Sequence, residues 1–200
     1  MNIKLKNIVG LIIAIVLVTT IGVILKKYFP KSSSSSSNTI SNHLNSEKPW
    51  ITLTYSGIRI STPEELTENS YNMSEYEKSI ASKMGSYSFQ SKEISILVRY
   101  LRCLGSEVEY DLERGLKIPI SNGVNRLGGT NLTFDTESAS DDNIKIGVGT
   151  FQVGREIMEY KEIIYFNGKN EVGLVIIIGP QSDQTNQLIS KIINSVEYSF

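Results

Sequence analysis

One histidine and one cysteine stand in 200 residues, and that scarcity excludes much chemistry. A His/Cys zinc site, a Ser-His or Cys-His catalytic pair within residues 50–200, a disulfide framework and a c-type haem attachment all lack the residues they need. The single histidine, His43, falls in a serine-rich stretch with no fixed partners and reads as a solvated linker residue. Basic clusters are scarce as well. Residues 1–49 hold six lysines against one glutamate, and residues 50–200 hold fourteen Lys/Arg against twenty Asp/Glu, so the formal net charge of −1 conceals a basic leader of +5 and an acidic remainder of −6. Nucleic acid, whose phosphates demand Lys/Arg neutralisation, is not an expected partner of that acidic part.

Charge is missing altogether from residues 8–25, IVGLIIAIVLVTTIGVIL, an eighteen-residue run bounded by Lys4 and Lys6 before it and by Lys26 and Lys27 after it. As a helix it would span ~27 Å, close to the ~30 Å hydrocarbon core of a bilayer. Its glycines and β-branched residues weaken a helix in water, but in lipid the backbone has no alternative hydrogen-bond partner. The expectation is one transmembrane helix behind a short basic tail (1–7). A cleaved signal peptide is the rival reading. The run exceeds a usual signal-peptide core, no A-x-A-like site closes it, and no cysteine follows for lipidation. Lysines flank both ends nearly equally, so the positive-inside rule leaves the orientation open. A short amino-terminal tail before a long polar domain is the usual shape of a signal anchor, which places the domain outside the cytoplasm. A pilin-like subunit, with its acidic residue inside the apolar stretch, does not fit. Residues 26–49 then form a linker: Pro30 stops the helix, and six consecutive serines cannot bury enough apolar surface to offset chain entropy.

The remaining residues, 50–200, suffice for one domain with its own core. Strands are expected at 50–55 and 57–62, turning at Ser56-Gly57. A helix is expected at 74–84, with a Ser74/Glu77 capping box and Tyr76, Ile80 and Met84 on one face. Residues 93–104 read as a central strand apolar on both faces, with Ile94, Ile96, Val98 and Tyr100 on one side and Leu97, Leu101 and Cys103 on the other. A second helix is expected at 106–117, ended or loosened by Gly115 and Pro119, with Gly123, Gly128 and Gly129 in a connection. A meander follows: 131–135, an acidic loop, 144–153, a Gly154-Arg155 turn, 157–166, the hairpin signal Asn167-Gly168, and 172–179. Ser182 caps a closing helix with Leu188, Ile189, Ile192, Ile193 and Val196 as its apolar stripe. The fold class is α+β, an antiparallel sheet covered by helices and preceded by one transmembrane helix.

An opening strand pair ending GIRISTPEEL, a helix-flanked long strand, the meander GVGTFQVGREIMEYKEIIYFNGKNEVGLVII and a closing helix ending ISKIINSVEY occur in that order. The pattern resembles the PsbP-like α/β/α sandwich domains across residues 50–200. The resemblance implies that fold and a binding or assembly role, since family members act mostly so and are often secreted or lipid-anchored. A membrane helix here takes the place of a lipidated cysteine. Metal ligands proposed for photosystem members do not carry over, because the domain has no histidine to match them.

Asp135, Glu137, Asp141 and Asp142, with Asn143, are the candidate metal ligands: hard oxygen donors close in sequence suit Ca²⁺. The spacing departs from an EF-hand loop, and a solvated acidic turn is the simpler reading. No other cofactor is expected. Glu107, Glu109, Asp111 and Glu113 gather at a helix start, where negative charge suits the macrodipole. Paired with the 135–142 loop they frame an alternative function, an envelope-polymer hydrolase using two carboxylates. Cys103, in an apolar strand, reads as buried and inert despite Arg99 and Arg102 nearby. Ten tyrosines are enough to line a groove, although scattered along strands they more often form sheet surface. The expected function is a membrane-anchored binding or assembly module with an unassigned protein or small-ligand partner; no catalytic residues are assigned.

Overall fold

The computed structural model describes residues 49–200 apart from 71, 72, 74, 106, 107 and 140. The basic tail, the membrane helix expected at 8–25 and nearly all of the 26–49 linker lie outside the described residues. Among the described residues no helix is long and apolar enough to cross a membrane.

Among the described residues, two antiparallel sheets and three helices make up the domain. Strands β1 (Ile51–Tyr55), β2 (Ile58–Thr62), β3 (Thr67–Glu68), β4 (Ala81–Gln90), β5 (Ser95–Cys103), β6 (Asp135–Glu137), β7 (Ile144–Val153), β8 (Glu156–Phe166), β9 (Glu171–Pro180) and β10 (Glu197–Tyr198) are joined by helices α1 (Glu75–Ile80), α2 (Leu112–Arg126) and α3 (Asp183–Ile193). The large sheet runs β3-β4-β5-β9-β8-β7-β6 and the small one β1-β2-β10. The α+β class with helices over an antiparallel sheet therefore holds, with the addition of a second sheet.

The large sheet separates two cores. On one face Leu97, Leu101, Cys103, Met158, Tyr160 and Ile164 pack under Leu116, Ile120 and Val124 of α2. On the other, Ile94, Ile96, Val98, Ile163, Val175 and Ile177 pack under α3 and the small sheet, through Ile189, Ile192, Ile58 and Ile60. The alternation read along 94–103 assigns β5 residues to these two faces correctly, and β5 and β9 are buried on both sides. That is why their sequences are nearly continuous apolar runs.

Four expectations need correction. The helix at 74–84 stops at Ile80, and Ala81–Gln90 is a full strand. It pairs with β5 from Ala81↔Cys103 to Gln90↔Ser95, and its alternation sends Tyr87 and Phe89 to one core and Met84 to the other. That long-range pairing outweighs the helical propensity of SKM, which is local and small. The second helix begins later and runs through Pro119. Asp111 caps it by accepting from the Arg114 amide at 3.0 Å, and the buried row Leu116, Ile120, Val124 continues beyond the proline. One missing N–H bond is offset by burial of that row, Pro119 included. Its stop is glycine: Gly128 takes φ 68°, its amide bonds Asn125 O at 3.1 Å and the Gly129 amide bonds Val124 O at 2.9 Å, a Schellman ending.

The strand expected at 131–135 instead starts at Asp135. Asn131, at φ 54°, inserts one residue between the Thr130↔Gln152 bridge and the Asp135↔Val148 pairing, a bulge that sets the register. The closing helix ends at Ile193, and Glu197–Tyr198 leave it to pair with β2.

Candidate functional site

Six aromatic rings converge where the β1–β2 turn, the start of β9 and the chain after α3 meet. Ser56 and Gly57 form a two-residue turn with φ 49° and 84°, both positive as a type I′ hairpin requires. A Cβ on Gly57 would come within 2.2 Å of the Phe200 ring, so the glycine serves the close approach as well as the turn. Phe200 packs on Tyr100 at 5.3 Å and on Tyr165 at 5.6 Å, and Tyr165 stacks on Tyr198 at 4.8 Å between centroids. Beside the same turn, Tyr87 packs on Tyr55 at 4.8 Å while its hydroxyl meets Ser56 Oγ at 3.2 Å. Gly173 of β9 gives the rings room: a Cβ there would lie 2.6 Å from Tyr198 and 2.9 Å from Phe200. Tyr55 and Tyr100 are buried, whereas Tyr87, Tyr165, Tyr198 and Phe200 are half-buried and form the outer surface. Such rings offer broad, rigid contact area at little entropic cost.

A polar network lies behind the rings. Glu171 Oε1 accepts from the Tyr100 hydroxyl at 2.7 Å and from Arg102 Nε at 2.8 Å, with Arg102 Nη2 as a further donor, while Glu171 Oε2 accepts from Asn167 Nδ2 at 2.9 Å. Asn167 Oδ1 in turn accepts from the amides of Lys169, Asn170 and Glu171, each at 3.0 Å, which shapes the β8–β9 loop around the Asn-Gly signal. Burial works to raise the Glu171 carboxyl, but the donated hydrogen bonds and the Arg102 charge prevail and hold it below the ordinary range. Burial and then the Glu171 carboxylate push the Tyr100 hydroxyl up to about 12. Lys83 Nζ lies 5.5 Å from the Tyr100 ring centroid. A carboxylate held ionised and surrounded by donors is suited to fixing geometry and unsuited to taking up a proton at neutral pH.

The candidate metal ligands sit elsewhere, at the β6 edge of the large sheet. Asp135 Oδ1 accepts from the Thr136 amide at 2.8 Å, Glu137 Oε2 from Lys161 Nζ at 2.6 Å, and Asp141 Oδ1 from the Asn143 amide at 2.8 Å; Asp142 is exposed. Among the described residues no three His, Cys, Asp or Glu side chains gather as a metal-holding group. Of the carboxylates of the paired-acid alternative, Asp111 caps α2 and Glu113 faces Lys145 of β7 at 3.9 Å, while Glu107 lies outside the described residues. An open depression of about 610 Å³ on that helix is lined by Asp111, Glu113, Arg114, Lys117 and Ile118. Cys103 is 2% exposed and burial pushes its thiol up to about 11; Arg102 points away from it, to Glu171 on the other face.

Two buried acids of β8, Glu159 and Glu162, escape a reading based on acidic clusters. Three residues apart in one strand, they face opposite sides of the sheet. The signal was present in the row Met158, Tyr160, Glu162, Ile164, Phe166, where alternation places one carboxyl in an apolar file. For Glu171 and the rings no local signal exists, since their partners come from five separate stretches of chain.

Fold and site together define a class: a two-sheet α+β domain that presents a half-buried aromatic end on a fixed ionic network. The chain matches no protein-family model and no curated protein sequence. Solved structures similar to it include the Ran-binding protein Mog1p of Saccharomyces cerevisiae, at 10% identity and TM-score 0.45 over 76% of this chain and 96% of that one. A variant of Mog1 is similar at 11% identity and TM-score 0.43 over 75% of this chain and 95% of that one. LpqN, involved in cell envelope biogenesis of Mycobacterium tuberculosis, is similar at 8% identity and TM-score 0.38 over 76% of this chain and 89% of that one.

Proposed function

We propose that this chain is a single-pass membrane-anchored protein whose α+β domain faces outside the cytoplasm and acts as a binding or assembly module of the PsbP-like type. The observation that carries the binding role is the aromatic end: four half-buried rings, Tyr87, Tyr165, Tyr198 and Phe200, backed by the saturated Glu171 network. Half-buried aromatic side chains held rigidly by their neighbours are what binding surfaces concentrate. The anchor rests on the uncharged run at 8–25, and the outward orientation on the short tail that precedes it.

Two experiments on the full chain test the proposal. Protease added to intact cells should remove a carboxy-terminal tag from the membrane fraction; protection until the membrane is broken would reverse the orientation. For the binding role, a photo-crosslinking residue is placed in turn at Tyr87 and Tyr165 and, as controls on α2 and α3, at Asn125 and Gln184. Adducts concentrated at Tyr87 and Tyr165 are the expected result. Adducts spread evenly over the four positions, or none at any, would overturn the aromatic end as the binding surface.

A further inference from the structure

Glu162 is 0% exposed in the middle of β8, and neither of its carboxyl oxygens has a hydrogen-bond partner among the described residues. The side chain fits because the residue opposite on β7 is Gly147, where a Cβ would come within 2.8 Å of Glu162 Oε1. Above it lies the segment leading into α2. The Tyr110 hydroxyl there is likewise buried without a hydrogen-bond partner, and it packs on Gly115 of α2, where a Cβ would lie 2.6 Å from it. Two polar heads without a hydrogen-bond partner among the described residues thus share one buried layer, which native cores rarely tolerate without a reason.

Among the described residues, the charged and titratable groups around this layer leave Glu162 uncompensated. On β8 its neighbour is Tyr160, whose hydroxyl donates to Thr133 O at 2.8 Å. On β7, Lys145 is directed to Glu113 of α2. From the covering layer come Tyr110 and the cap Asp111, and on α2 Lys117 lies over the Phe134 ring while Arg114 lines the open depression. The strands beyond contribute Leu174 and Ile176 of β9, then Cys103 and the buried Arg99 of β5, two strands across. Desolvation raises the Glu162 carboxyl well above its ordinary range, and so holds it neutral.

We propose that Glu162 is a pH-sensing element beneath α2: as the pH rises its ionisation loosens α2 and the residues leading into it from the large sheet, while the layer on the opposite face stays in place. An ionised carboxyl in that layer demands water or a cation. β8 cannot yield, because it is hydrogen-bonded to β7 from Glu156 to Tyr165 and to β9 from Met158 to Phe166. α2 rests on β7 and β8 without a backbone ladder and yields first. The sign follows from linkage: a carboxyl raised in the folded state leaves stability intact below its ordinary value and withdraws it as pH climbs toward the folded value, about tenfold in the opening equilibrium per unit.

Hydrogen exchange of the full chain in detergent micelles, from about pH 5.5 to 8.5 and corrected for intrinsic rates, tests the inference. Peptides from Leu112–Arg126 should lose protection at least about tenfold with rising pH, more steeply than peptides from Asp183–Ile193, whose own start faces the less strongly raised carboxyl of Glu159. Glu162→Gln should flatten the α2 profile, and Glu162→Met should do so even where the buried amide of the first variant perturbs packing. An unchanged pH dependence in both variants, or parallel loss in α2 and α3, would overturn it. Neither readout depends on what the aromatic end binds.

Discussion

Tyr100 and Arg102 donate to the same oxygen of Glu171, and the three act as a unit tying β5 to β9. Removing one donor leaves a buried carboxylate partly unsatisfied, so Tyr100→Phe should lower unfolding free energy by about 1–2 kcal/mol, read from urea denaturation. The Glu171 carboxyl lies below its ordinary 4.5 in the folded state, so its contribution is present above that value and is lost as the pH falls through the folded one. Glu171→Gln should therefore flatten the acid limb of a stability-against-pH curve; an unaltered limb would assign acid unfolding to other carboxylates. Cys103, with its thiol pushed up to about 11 by burial, should resist a thiol reagent in the folded protein and react across the unfolding transition. Labelling at the rate of a free thiol below that transition would mean that β5 is accessible.

Elements here owe their limits to single residues at their ends. Asp111 starts α2 and Gly128 stops it, neither of them packed in the core. Asp111→Ala should cost about 1 kcal/mol through the lost bond to the Arg114 amide. Gly128→Ala should cost about as much, although nothing lies within 4 Å of the new methyl group, because the whole penalty is the left-handed backbone; Gly128→Asn should cost less. Equal losses for alanine and asparagine would show that φ is not the cause. Ser182 performs the starting role for α3, accepting from the Thr185 amide at 3.1 Å, and it was legible because a serine after Gly179-Pro180 precedes an apolar stripe. Asp111 was harder to read. Ser106 and Glu109 have the spacing of a capping box five residues earlier, and only the position of the buried row shows where the helix starts.

At the scale of the molecule, one sheet serves two cores, with α2 on one face and α3 with the small sheet on the other. Trp50, the single tryptophan, reports on the second layer, where Lys191 Nζ sits 3.6 Å from its ring centroid. Because β5, β8 and β9 line both cores, tryptophan fluorescence and far-ultraviolet dichroism should trace one urea transition. A fluorescence midpoint at lower urea would show that the small-sheet layer comes away on its own. The three perturbed acids act in opposite directions: Glu171 withdraws stability toward acid, and Glu159 and Glu162 toward alkali.

Residues 94–101, 144–153 and 172–179 carried their strand identity in alternation or unbroken apolarity, and Ser56-Gly57 and Gly154 marked their turns, because burial period and positive φ are properties of nearest neighbours. The division into a basic, uncharged-run leader and an acidic domain is equally local, as is the shortage of histidine and cysteine that removes whole classes of chemistry. Tertiary structure alone decided that 81–90 is a strand, since its partner is β5, and that 197–198 closes the small sheet, since its partner is β2. It alone placed Glu162 opposite Gly147 and gathered Tyr55, Tyr87, Tyr100, Tyr165, Tyr198 and Phe200 at one end. Those contacts join residues distant in the chain, and no local preference encodes which strand will lie beside which.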